Sequence, residues 1–113
     1  MKDKKTKKIN LLDGIPNSKS LFAISGRDLG FKQRKFHKLD ELEDNYDEIE
    51  IAIDNNIIFL SSSFFLGMFG ESVRKCGNKE NFIQKFIFKS NNQLKSNIED
   101  GINDALKNIN PLV

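Results

Sequence analysis

Three consecutive hydroxyls, Ser61-Ser62-Ser63, stand between an apolar run ending at Leu60 and a helix-period stripe beginning at Phe64. Serine at such a junction has two uses. Its oxygen can accept from an N–H group left unpaired at a helix start, worth about 1 kcal/mol relative to alanine. Its hydroxyl can also be esterified by a kinase. A phosphate there adds roughly −1.5 to −2 charges at neutral pH, beside amides and a helix dipole that favour an anion. The first use needs no function and the second makes a switch. Both fit the residues, so Ser61, Ser62 and Ser63 are the phosphorylation candidates.

Other reactive side chains are scattered. His37 is the only histidine and falls at the end of a helical pattern, where a partly exposed surface position is expected. Cys76, the only cysteine, lies on an apolar stripe and reads as packed; a reactive thiol needs an exposed electropositive setting. Asp54 ends a strand, where an acid can ligate a cation or accept a phosphoryl group, but before Asn55-Asn56 a turn-forming role is the simpler one. Neither a Cys/His cluster for zinc nor a phosphate-binding or dinucleotide fingerprint is present. The expectation is a non-enzymatic protein with no metal and no cofactor. A lone cysteine cannot form an internal disulfide, which points to a reducing cytoplasm. The start MKDKKTKK lacks the apolar region of an export signal, and no run approaches the roughly 18–20 apolar residues of a spanning helix.

The elements around the serines are readable from their periods. Met1–Lys8 is polar and aperiodic and predicts a disordered basic arm, leaving a single domain over 9–110. Ile9–Leu12 and Ser20–Ile24, separated by Gly14, Pro16 and Asn17, predict two short strands joined by a turn. A helix should begin at Ser25, with Asp28 completing a capping box, Leu29 and Phe36 facing the core, and a further turn at Leu39–Leu42. Ile49, Ile51 and Ile53 alternate with Glu50 and Asp54, a half-buried strand. Phe65, Phe69, Val73 and Cys76 then recur at helical spacing up to the stop at Gly77. Gly67 and Gly70 each cost that helix about 1 kcal/mol relative to alanine, and close packing on the sheet is the expected reason. Phe82–Phe88 predicts a strand, and Leu94, Ile98, Ile102, Leu106 and Ile109 an amphipathic helix ending near Asn110, before Pro111. Strands alternating with helices give an α/β domain: a mixed, mostly parallel sheet of about four to five strands with three helices mainly on one face.

Charge is distributed in blocks. Residues 1–38 hold eleven Lys/Arg and three Asp/Glu, whereas residues 39–54 hold eight acids and no base. The basic block, with Arg27, Lys32, Arg34, Lys35 and Lys38 interleaved by Phe31 and Phe36, offers phosphate contacts and stacking surfaces. A nucleic-acid-associated accessory protein is therefore the alternative reading. The adjacent acidic block opposes it, and nucleic acid is the less expected partner.

Ser25-Gly26-Arg27 opening a helix, Ile51-Ala52-Ile53-Asp54 ending a strand, Ser62-Ser63-Phe64, Met68-Phe69-Gly70 and Ile102-Asn103-Asp104-Ala105-Leu106 resemble, in order and spacing, the bacterial STAS-like domain family of unknown function. The resemblance covers roughly residues 20–107. It extends distantly to the STAS domains of anti-sigma-factor antagonists, in which a strand ends in Asp-Ser-Ser-Gly and a serine at the next helix start is phosphorylated. That pattern puts Ser61 at the aspartate, Ser62 at the phosphorylated serine and Phe64 at the glycine. The resemblance implies a regulatory, protein-binding domain contacting its partner through Ser61, Ser62, Ser63, Phe64 and the loop at Asn56. The implied partner is a histidine-kinase-like ATPase acting as a serine kinase or anti-sigma factor, with no membrane involved. A purely structural role in a multi-protein assembly is the third reading.

Overall fold

The alternation of Ile49, Ile51 and Ile53 sets the centre of the molecule. In the computed structural model, which describes residues 4–107, strand β3 (Glu48–Ala52) runs between two parallel neighbours, β1 (Thr6–Asn10) and β5 (Phe86–Lys89). A second ladder joins β2 (Ala23–Ile24) to β4 (Phe59–Leu60), also in parallel. Between and after the strands come α1 (Arg27–His37), α2 (Leu39–Asn45), α3 (Ser62–Cys76), α4 (Lys79–Lys85) and α5 (Lys95–Lys107). The chain is an α/β domain. Every described pairing is parallel rather than mixed, the strands form a three-plus-two arrangement, and there are five helices instead of three.

Helix α3 packs against both α1 and α5. Its Phe65 and Phe69 are fully buried and meet Phe82 of α4 and Phe88 of β5, and Phe69 also meets Phe86, with ring centroids 5.3–6.3 Å apart for Phe69 and 6.1–6.4 Å for Phe65. Those spacings suit edge-to-face and tilted aromatic contact, which adds to the apolar area each ring removes from water. Ile49 and Ile51 of β3 complete this core, and Gly101 of α5 leaves the space that Phe65 fills.

Several expectations are corrected. Thr6–Lys8 are not part of an arm: they belong to β1, whose start is tied to β3 by hydrogen bonds from Lys4 and Thr6 to Glu48. Leu11 and Leu12 leave the strand and are buried in a turn, and residues 18–20 form a 3-10 turn, so the first two strands are not neighbours. The Ser25 capping box is absent. Gly26, at φ 100°, takes the cap position of α1, and Ser25 is exposed. Phe36 does not face the core; it is 54% exposed. The Phe82–Phe88 run is helix up to Lys85, because Asn78 accepts from the Asn81 N–H at 2.8 Å and opens a turn that stacks Phe82 on Phe86, four residues on. The expected end of the last helix near Asn110 lies outside the described residues.

Candidate functional site

Ser61 follows β4 directly and is fixed from both sides. Its N–H donates to the Ile24 carbonyl at 2.9 Å, and its carbonyl accepts the first intrahelical bond of α3 from Phe65 at 3.1 Å. The extended backbone of Ser61, φ −74° and ψ 153°, turns its hydroxyl back over the helix start, where it accepts from the Phe64 N–H at 3.0 Å. This is the cap read in the sequence. The same oxygen also accepts from the Gly26 N–H at 3.3 Å. One side chain therefore serves the starts of two helices.

That sharing follows from how α1 and α3 meet. Gly26 lies by Ser61, Gly30 by Phe64 and Met68, and Arg34 by Met68 and Ser72, so the two helices run in parallel with their N-termini side by side. A methyl group on Gly30 would overlap the Phe64 carbonyl oxygen, and one on Gly67 the Arg27 carbonyl oxygen. The approach is backbone to backbone. Gly67 is thus required by α1 and not by the sheet, and Gly70 faces only the Arg74 side chain. Two parallel helix dipoles converge on the serine end, which favours negative charge there, with Arg27 adding to the effect and Asp28 opposing it.

Ser62 is half-buried and Ser63 exposed, and among the described residues neither side chain makes a hydrogen bond. They are the accessible members of the trio. Phe64 is fully buried and so is unavailable to a partner, which removes it from the expected contact surface. Asn56 is exposed, and its amide donates to the Leu21 carbonyl at 2.6 Å, which holds the loop before β2. The serine pattern does not indicate the exposed apolar residues upstream of it: Phe22, 67% exposed, and Ile58 and Phe59, each 47% exposed, in the paired segments that lead into Gly26 and Ser61. Exposed apolar residues gathered on adjoining segments are a candidate interaction surface.

The opposite end of the helix pair carries the charge. Arg34 is only 7% exposed and donates to the Met68 carbonyl at 2.6 Å, to Ser72 Oγ at 2.9 Å and to Asp40 Oδ1 at 2.6 Å. Glu43 accepts from Ser72 and lies 3.4 Å from both Arg34 and Lys75. The Arg34 hydrogen bond holds the Asp40 carboxyl below its usual range. Arg34 is therefore not a surface base, and Glu43 is its internal counter-charge, while Asp40 accepts from it at the surface. Asp40 and Glu43 tie α2 to α1 and α3, while Glu48 meets Lys4 at 3.1 Å.

The remaining reactive residues stay apart. His37 is half-buried with Nε2 3.4 Å from the Leu11 carbonyl, and burial pulls its pKa down. Burial pushes the Cys76 thiol up, with the Glu43 charge acting in the same direction, so the thiolate is disfavoured. Asp54 accepts from Asn10 at 3.3 Å in the turn. Among the described residues no group of three or more His, Cys, Asp or Glu is placed to hold a metal ion, and no helix is long and apolar enough to cross a membrane. Compared with family models, curated proteins and solved structures, the chain matches none.

Proposed function

We propose that this chain is a STAS-like protein-interaction module without chemistry of its own, working in the cytoplasm and switched at Ser62. The observation that supports it most is the pairing of two accessible hydroxyls, Ser62 and Ser63, with exposed Phe22, Ile58 and Phe59 at the converging starts of two parallel helices. The apolar side chains supply contact area, and the helix ends tolerate an added phosphate. The partner is a kinase-like ATPase acting as serine kinase or anti-sigma factor. It would transfer the γ-phosphoryl group of ATP to Ser62 Oγ: the O–P ester bond forms, the bond to ADP breaks, and the hydroxyl proton passes to a base on the kinase. Three new oxygens carrying roughly −1.5 to −2 charges on the docking face then disfavour an apolar partner surface.

The test is a capture experiment in the native host with wild type, Ser62→Glu and Phe59→Ser, combined with mass spectrometry of residues 61–63. The reading expects an ATPase partner retained by wild type, lost with either variant, and phosphate on Ser62. It fails if residues 61–63 carry no phosphate in any growth state and both variants retain the same proteins as wild type.

The nucleic-acid reading loses Arg34, which is buried, and Lys4, which is paired with Glu48, and keeps Phe31 and Phe36, which are exposed among Lys32, Lys35 and Lys38.

A further inference from the structure

The three-stranded sheet has two edges, and they are unlike. On β1 the strand carries Lys7 and Lys8, both exposed, which is a usual way of blunting an edge against further pairing. On β5 the strand reads Phe86-Ile87-Phe88-Lys89, with no charge until its last residue.

The register shows which backbone groups of β5 are spare. The Lys89 carbonyl accepts from the Ile53 N–H at 2.9 Å, so Lys89 and, two residues earlier, Ile87 turn their N–H and C=O groups toward β3. Alternate residues of a parallel strand face opposite neighbours. Phe86 and Phe88 consequently face away from β3. The Phe86 N–H closes the last turn of α4 on the Phe82 carbonyl. Among the described residues nothing bonds the Phe88 N–H or the Phe88 carbonyl, and Phe88 is partly exposed, whereas Phe86 is buried. Phe88 therefore offers one donor and one acceptor on the side away from β3, the pair through which a further strand docks.

A groove of about 430 Å³ lies beside them. Phe86, Ile87 and Phe88 line it from the strand, Ile83 from α4, and Ile98 and Ile102 from α5. Ile83 is 43% exposed, so the apolar lining continues to the rim. Lys79 and Glu99 neutralise each other across the two helix walls at 2.7 Å. Lys95, also in the lining, and Lys89 at the strand end are exposed and have no counter-ion among the described residues. The groove therefore carries an unbalanced positive charge.

We propose that the free edge of β5 is a strand-addition site that binds an extended segment of a partner protein, apolar at alternate positions and acidic at the end that meets Lys89 and Lys95. Backbone bonds to the Phe88 N–H and carbonyl hold such a segment, and alternate side chains enter the groove. A second copy of this chain is a poorer occupant. Its β5 edge brings the same unpaired lysines and its β1 edge brings Lys7 and Lys8, so either pairing sets like charge against like. The site does not depend on the serine switch.

The test is a displayed library of random heptapeptides selected on the full chain, followed by titration of the synthesised winners. Peptides that alternate apolar residues and carry Asp or Glu near one end are expected. Ile83→Lys, a rim substitution on an exposed helix position, should weaken them roughly tenfold or more. Lys95→Glu should turn the preference toward Lys-bearing peptides, whereas Ser62→Ala should leave it unchanged. Amide exchange at Phe88 should be fast in the free chain and slow in the complex. Matched thermal melts show that the variants remain folded. Failure to enrich any alternating peptide overturns the proposal, as does binding that Ile83→Lys leaves intact. So does a Phe88 amide already protected in the free monomer, or a concentration-dependent dimer that Ile83→Lys dissolves, which would make a second copy the occupant.

Discussion

Helices α1 and α3 are joined at both ends, in opposite ways. At their N-termini a single neutral hydroxyl, Ser61, accepts from one amide of each helix, and the neighbouring Ser62 and Ser63 are left accessible. At the other end Arg34 is enclosed by a carbonyl, a hydroxyl and the carboxylates of Asp40 and Glu43. A neutral cap contributes little and can be adjusted at small cost; a buried guanidinium cannot lose a partner without leaving a charge unpaired. The difference separates a stabilising end from an end free to take on a binding role.

The largest expected effect comes from breaking the charged end. Arg34→Met leaves the nearly enclosed Glu43 with Lys75, at 3.4 Å, as its remaining counter-charge among the described residues, and should cost about 3 kcal/mol in denaturant unfolding. Adding Glu43→Leu should return much of the loss, since replacing a whole buried ion pair with apolar groups is often near neutral. A double variant no better than Arg34→Met would mean that the network acts through Asp40 alone. Between the two ends, Gly67→Ala forces α1 and α3 apart at the Arg27 carbonyl and should cost roughly 1–3 kcal/mol. At the neutral end Ser61→Ala should cost about 1 kcal/mol, with Ser62→Ala and Ser63→Ala within about 0.5 kcal/mol of wild type. A large loss from Ser62→Ala would contradict its assignment to contact rather than stability.

The smallest effect is one of pH and also belongs to the charged end, where His37 closes α1. Its pKa is lowered by burial, so the native state binds fewer protons than the unfolded chain. Its contribution is complete above about pH 6.5 and declines as pH falls through that value toward the native pKa. Urea midpoints between pH 7.5 and 5.5 should drop on acidification, and His37→Gln should remove that part of the slope, since the chain has no other histidine.

What could be read in the sequence depended on how local its cause was. The Ile49–Ile53 alternation, the α3 stripe and the Ser61 cap are set by residues within a few positions of one another, and the folded chain keeps them. Strand β1 is legible only at its end, Ile9 and Asn10, because its start is held by Lys4 and Thr6 on Glu48, some forty positions away. Helix α4 was misread because Phe82 and Phe86 satisfy a helical spacing inside a run short enough for a strand. The burial of Arg34 depends on α2 and α3 together, and the second use of the Ser61 hydroxyl depends on Gly26, 35 positions earlier. Nothing in the serines themselves announced the exposed ribbon beside them.

Among the described residues all three strand pairings are parallel, and each joins distant parts of the chain: Thr6 to Glu48, Ala23 to Phe59 and Ile49 to Phe86. None of them is a hairpin that could serve as an early, local nucleus. During synthesis β1 leaves the ribosome long before the strand that completes its ladder, and the central strand must wait for β5 in turn. Such remote contacts slow folding relative to helical or hairpin-rich domains of the same size. Helices, not strands, must therefore gather this chain first, and the nascent protein passes through an interval in which its aromatic residues have no sheet to cover them.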